Sequence, residues 1–245
     1  MILHGFYGKL PTAGDFVGRG WQAVMQGSLD ALIQEALREV SASARTDAGV
    51  VERPGFSVIS IRPGVLGEHG IVAVVMTSVD RVGRRFPLCA GVQWLPDDDA
   101  PMTWPSIEYG LTLGSRIRRN LEGELDPELL LSEIVAVGDP HRFQLTLQGV
   151  DSEDTMPPLP AETMQLHVKG PLASIPAGLQ ALCAFVAGAS DLLGIRFDAG
   201  DVDDDFFVIR RLEDGGPLAA LFDGAWSSHG WTTYGQGVAH EDPSA

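Results

Sequence analysis

Six consecutive apolar residues, Ile71-Val-Ala-Val-Val-Met76, constrain the fold of this chain more than any other run. Successive side chains of a strand point to opposite faces, so a strand with no polar position needs cover on both. Phe56-Ser-Val-Ile-Ser-Ile61 precedes it across Pro-Gly and Gly turns, and Leu88-Cys-Ala-Gly-Val-Gln-Trp94 follows it. Before this block, residues Trp21 to Ala44 repeat apolar positions at helical spacing. Met25, Leu29, Leu32, Ile33, Ala36, Leu37 and Val40 share one face, opposite Gln34, Glu35, Arg38 and Glu39. The pattern is that of an amphipathic helix covering a sheet.

The later half alternates in the same way. Tyr109 to Leu121, Pro127 to Val137 and Pro217 to Phe222 read as helices. Arg142–Leu147, Met164–Val168 and Asp205–Arg210 read as strands. Helices and strands thus mix along the whole length, in an α/β chain whose sheet lies between helical layers. The order is too irregular for a doubly wound fold. Pro96-Asp-Asp-Asp-Ala-Pro101 is the candidate internal boundary of an otherwise single domain spanning 1–234, and 235–245 reads as a flexible tail.

A chain of 245 residues with 44% hydrophobic and 20% charged residues has ordinary globular composition. Its net charge of −16 repels phosphate-coated partners, which argues against nucleic acid and anionic membrane as main ligands. The uncharged stretch Gly170–Ser190 is interrupted by Pro171 and Pro176. The remaining helix, Ala177 to Ala189, would be roughly 20 Å long, short of the ~30 Å hydrocarbon core, and reads as a buried helix. Met1–Gly5 has neither the basic nor the long apolar region of a signal peptide. Cys89 and Cys183 lie in apolar runs without metal or redox spacing, as expected of buried thiols in a reducing cytosol.

Two segments stand apart in composition: Gly5-Phe-Tyr-Gly-Lys-Leu-Pro-Thr-Ala-Gly-Asp-Phe16 and Met76-Thr-Ser-Val-Asp-Arg-Val-Gly-Arg-Arg-Phe-Pro87. Each places Gly, Pro and unlike charges beside aromatic rings, which suits a shaped backbone with exposed functional groups. The Gly8-Lys9 pair is not a phosphate-binding loop, since Leu3 and Leu10 occupy the required Gly and Ser/Thr positions. Gly5, Gly8, Pro11 and Gly14 instead suit a fixed turn leading into the first helix. Lys9 and Asp15 are placed to pair with each other or with the second segment.

That second segment joins two strands and brings Arg81, Arg84 and Arg85 into an otherwise acidic chain. Arginine's planar fork suits carboxylate or phosphate, although pairing of Asp80 with one arginine accounts for the same residues. No nucleophile or acid partner accompanies Asp80 as a general base.

Other sites fail on their spacing. Asp201-Val-Asp-Asp-Asp205 begins like a calcium loop, but Phe206 and Leu212 occupy the Gly and Glu positions. The six histidines, His4, His69, His141, His167, His229 and His240, lack zinc-ligand spacing, so no metal is expected. A Gly-x-Ser-x-Gly elbow is absent. Trp226 and Trp231 suit either an interface or packing of the last segment.

The two segments together resemble the motifs of the TagF family, also called ImpM, accessory proteins of bacterial type VI secretion. Its Gly-(Phe/Trp)-(Tyr/Phe)-Gly-Lys-Leu-Pro-x-x-Gly-Asp-Phe stands here as Gly5 to Phe16. Its Ser-Val-Asp-Arg-x-Gly-Arg-x-Phe-Pro stands as Ser78 to Pro87, which includes the glycine Gly83. The chain departs from the family at Leu29-Asp-Ala-Leu-Ile33, where members show Trp-Asp-x-Trp-Leu, and at Thr77, where many have Pro. Beyond about residue 100 the likeness is diffuse, although Arg211 to Leu218 resembles the family's ending.

The resemblance implies a three-layer αβα sandwich with a central mixed sheet, and a cytoplasmic post-translational repressor of secretion rather than an enzyme. It implies a protein partner, a forkhead-associated scaffold or baseplate component, without catalytic residues or cofactor. Lys9, Asp15, Asp80, Arg81, Arg84 and Arg85 then form one polar surface that either clamps the two loops or meets the partner. The alternatives are a structural assembly factor of the apparatus and an enzyme acting on a phosphorylated ligand.

Overall fold

The computed structural model describes residues 2–43, 55–94, 104–121, 125–140, 163–168, 190–198 and 204–235. Its strands are β1 (Ile2–Gly8), β2 (Val17–Arg19), β3 (Gly55–Ile61), β4 (Gly70–Val79), β5 (Arg85–Trp94), β6 (Thr163–Val168), β7 (Leu192–Asp198), β8 (Asp204–Ile209) and β9 (Thr232–Gly235). They form one nine-stranded sheet in the order β2-β1-β5-β4-β3-β7-β8-β6-β9. Neighbours are antiparallel except β6 and β9, which run parallel, so the fold is mixed α/β. The helices are α1 (Ala23–Ser43), α2 (Trp104–Leu121), α3 (Pro127–Val137) and a single turn, α4 (Ala220–Asp223), flanked by 3-10 turns at Gly216–Ala219 and Trp226–His229.

The apolar run behaves as its chemistry requires. In β4, Ile71, Ala73 and Val75 enter one hydrophobic cluster, while Val72, Val74 and Met76 enter another. The first cluster takes the apolar face of α1 together with Leu221 and Phe222 of α4; the second takes Tyr109, Leu113 and Ile117 of α2 with Leu130, Ile134 and Val137 of α3. Helix α1 buries Met25, Leu29, Leu32, Ile33, Ala36 and Val40, the face read from the sequence. Glu35 has a further role, since its Oε2 accepts the Gly215 N–H at 3.0 Å and ties the C-terminal segment to α1.

Helix α3 starts at a polar cap. Asp126 accepts the Leu129 N–H at 2.8 Å, and Pro127 occupies the first helical position. Three bonds then dock this helix and its flanks beside the first motif. Thr12 Oγ1 donates to Leu125 O at 3.1 Å, His4 Nε2 to Gly138 O at 3.0 Å, and Arg19 pairs with Glu128.

Several elements differ from the sequence reading. Gly5–Gly8 is the end of strand β1, not the start of a turn into α1, and β2 intervenes before the helix. Strand β5 begins at Arg85 rather than Leu88, because Arg85, Phe86 and Pro87 pair with Val79, Ser78 and Thr77. Helix α2 begins at Trp104, and β7 was not anticipated. The expected strand Arg142–Leu147, the helix Ala177–Ala189, the boundary at 96–101 and the tail beyond Gly235 lie outside the described residues.

Ile71, fully buried near the start of β4, tests this core. Ile71→Ala should lower the unfolding free energy by about 3 kcal/mol in urea titration; a loss below ~1 kcal/mol would mean that β4 is not covered as described.

Candidate functional site

The second motif is a hairpin whose turn, Asp80–Arg84, is organised by one carboxylate. Asp80 N–H donates to Arg84 O at 3.0 Å, and Gly83 N–H donates to Asp80 O at 2.9 Å. Gly83 has φ +85°, a conformation that favours glycine. Asp80 Oδ1 accepts the Val82 N–H at 3.0 Å and the Arg84 N–H at 2.8 Å. Its Oδ2 accepts Arg84 Nε at 2.7 Å and Lys9 Nζ at 3.0 Å. Four donors therefore converge on one side chain.

Lys9 arrives from the other motif. It follows the end of β1, and its residue is only 6% exposed, against 4% for Asp80. The expectation of exposed functional groups thus fails for these two: both are interior, because two opposite charges in bonding contact satisfy each other away from water. Burial by itself would raise the Asp80 carboxyl. Hydrogen bonds from the Arg84 N–H, the Lys9 ammonium, the Arg84 guanidinium and the Val82 N–H outweigh it and hold the group well below the usual carboxylate range. A carboxylate so engaged is a poor general base.

Backbone contacts complete the clasp. Arg81 N–H donates to Ala13 O at 2.9 Å, and the Arg84 guanidinium donates to Gly14 O. Pro11 lies inside the Leu10–Ala13 turn, closed by the Ala13 N–H to Leu10 O at 3.0 Å. Gly8 has φ +144°, and a Cβ there would stand 2.4 Å from Pro87 O. Glycine is therefore needed where the two motifs touch. Gly5 pairs with Gly91 across the β1–β5 ladder.

Phe16 roofs the ion pair. Its ring stacks on Tyr7 at 5.7 Å, meets Phe86 edge-on at 4.6 Å and has its centroid 5.3 Å from the Lys9 ammonium, which lies over the ring face. Tyr7 in turn reaches α1. Burial, a hydrogen bond to Asp30 and the Asp30 charge push its hydroxyl up to about 12. Cys89, in the same neighbourhood, is a fully buried free thiol pushed strongly up by burial and then by Asp30, hence unreactive.

The remaining candidates are on the surface. Asp15, Arg81, Arg84 and Arg85 are exposed, and Asp15 Oδ1 accepts the Phe16 N–H at 2.8 Å. The structure thus brings Lys9, Asp80 and Arg84 into direct contact and leaves Asp15 outside that cluster. Sequence reasoning overlooked Phe16, Tyr7 and Asp30 as parts of the site, although all three lie in or beside segments it had singled out.

Elsewhere the described residues offer little chemistry. No group of three His, Cys, Asp or Glu among them is arranged to hold a metal ion. Trp226 and Trp231 pack against Phe207 and each other, and Trp231 Nε1 donates to Pro217 O at 2.8 Å, so both serve the core. An open cavity of about 310 Å³ lies between the start of α1 and Leu66–His69; Gln93 Oε1 there accepts the Gln22 N–H at 3.0 Å.

The family model described as the TagF N-terminal domain, associated with type VI secretion, matches residues 5–136, more than half of the chain and both motifs. The chain belongs to the TagF family. The crystal structure of PA0076 from Pseudomonas aeruginosa PAO1 is similar to it in fold, with a TM-score of 0.55 and 22% identity, covering 91% of this chain and 94% of that one. No curated protein matches the chain. The TagF match begins at Gly5 and so takes in the buried clasp entire.

The clasp has a pH signature. A carboxyl whose folded pKa is depressed adds stability that is complete above its unfolded value, ~3.9, and is lost as pH falls toward the folded value. Asp80→Asn should lower the melting temperature on the order of 10 °C at neutral pH, with the deficit shrinking as pH falls below about 4. Lys9→Met added to Asp80→Asn should recover part of the loss by removing the stranded charge. A deficit independent of pH would assign the effect to packing rather than charge.

Proposed function

We propose that this protein is a post-translational negative regulator of type VI secretion that works in the cytoplasm by binding a component of the apparatus or its forkhead-associated scaffold. Its family is associated with that secretion system. The observation that carries the reading is the clasp: it uses the motif's best catalytic candidate, Asp80, as a four-donor anchor and leaves a stiff surface around it. Such a surface suits recognition, because little freedom is lost when a rigid patch binds. The same geometry speaks against the enzymatic reading, since the carboxylate has no proton-transfer role left to it. Helix α1 on one face of the sheet and α2 with α3 on the other support the three-layer arrangement for the whole chain, read as one domain. Among the described residues no helix is long and apolar enough to cross a membrane, in keeping with a partner met in solution.

Deletion of the protein decides between regulator and assembly factor. Type VI secretion into the medium should rise in the deletion strain and return to its basal level when the gene is restored. Abolished secretion would replace the regulatory reading with a structural one.

A further inference from the structure

The two motifs divide into buried struts and an exposed tip, and the tip has a chemistry of its own. The loops hold four cations, Lys9, Arg81, Arg84 and Arg85, against two carboxylates, Asp15 and Asp80, in a chain of net charge −16. Lys9 and Asp80 are used up inside. What reaches solvent is mostly arginine. The guanidinium of Arg81 has no hydrogen-bond or ion-pair partner among the described residues, and Arg84 remains about half exposed while it holds Asp80.

Apolar surface accompanies that charge. Of the five large apolar side chains exposed among the described residues, two belong to these loops: Val82, 65% exposed at the turn, and Phe16, 40% exposed. Arginine is among the residues enriched at interface hot spots, and exposed apolar side chains beside it on a fixed backbone add area that contact can bury. Resting on the regulatory reading above, we propose that the Arg81–Val82 tip, flanked by Arg84 and Arg85, docks an acidic segment of a protein partner whose carboxylates alternate with apolar side chains.

Carboxylate fits better than phosphate for a geometric reason. The arginine forks accept either anion, but the turn's Val82 and Arg84 N–H groups both point at Asp80 and so add no backbone nest for a phosphate. A nucleic acid fits worse: its backbone offers nothing to Val82, and the body repels a long polyanion. A short acidic segment escapes most of that repulsion, because screening at physiological salt confines it to roughly 8 Å while contact with the arginines is direct.

The test is fluorescence polarisation with a short labelled peptide alternating Glu and Leu, beside matched peptides carrying Lys or phosphoserine in place of Glu. The Glu peptide should bind, more weakly as salt rises, and the Lys peptide should not. Arg81→Glu should weaken binding at least about tenfold, and Val82→Ser should weaken it to a lesser degree. Arg118→Glu, an equal charge reversal on an exposed position of α2, should leave it unchanged. Circular dichroism and melting temperature confirm that each variant folds. Equal loss in Arg118→Glu, no loss in Arg81→Glu, or tighter binding of the phosphoserine peptide overturns the proposal.

In the deletion strain, Arg81→Glu should fail to restore repression. If deletion derepresses secretion and Arg81→Glu restores repression fully, the tip proposal fails and the regulatory reading stands. If deletion does not raise secretion, the regulatory reading fails, and the tip proposal, as a statement about that regulation, falls with it.

Discussion

One buried carboxylate holds the two motifs of this protein together. Asp80 closes its own turn through the Val82 and Arg84 N–H groups, fixes the Arg84 side chain and neutralises Lys9, which follows β1 seventy-one positions earlier. A buried ion pair seldom adds much stability over an apolar pair of the same size, because desolvation offsets the attraction. Its value here is specificity. A lone Lys9 or a lone Asp80 at this depth would be strongly unfavourable, so only the arrangement that joins the two loops is tolerated. Phe16 then covers the pair, and the ring remains half open to solvent.

The clasp works because the sheet brings its parts close. β5 lies between β1 and β4, so the turn after β4 and the loop after β1 come out at the same end. That order depends on β4 being apolar on both faces. Its odd and even residues enter different clusters, which commits α1 to one side and α2 and α3 to the other. α3 is bonded back to the first loop through Thr12 and Leu125. Core packing and the geometry of the surface are thus one construction, and a large change in β4 would be felt at Arg81.

Periodicity made the central strands and helices legible in the sequence. Ile71–Met76 announced a strand covered on both faces, and the α1 face was read residue by residue. What escaped were elements whose residues answer to a neighbour rather than to a local pattern. β1 carries Gly5 and Gly8, which look like turn formers; the first is opposite Gly91 and the second against Pro87. β7 contains Gly194, where a Cβ would lie 2.2 Å from the Phe207 ring of the next strand. Such a glycine weakens the strand signal for a reason visible only across the ladder. For the site, composition identified the two segments, and motif resemblance identified the family. Neither could say that Lys9 and Asp80 point inward, because burial of an ion pair is a property of two segments far apart in the chain.

The division into inner and outer charges is what the proposed docking requires, since it lets a conspicuous motif serve recognition without every residue touching a partner. Lys9, Asp80 and the Nε of Arg84 stiffen the backbone, whereas Arg81 and Val82 contribute to it only through their main chain, by the Arg81 N–H bond to Ala13 and the Val82 N–H bond to Asp80. Under the proposed docking, changes to the first set act through folding and those to the second through contact. Substituting the two sets separately therefore resolves what a combined Asp80 and Arg84 variant would confuse: whether a lost interaction reflects a lost surface or a lost scaffold. Arg84 belongs to both sets, since its Nε serves Asp80 while about half of its side chain faces water. Its replacement would loosen the turn and remove surface charge together, which makes Arg81 the cleaner probe of recognition.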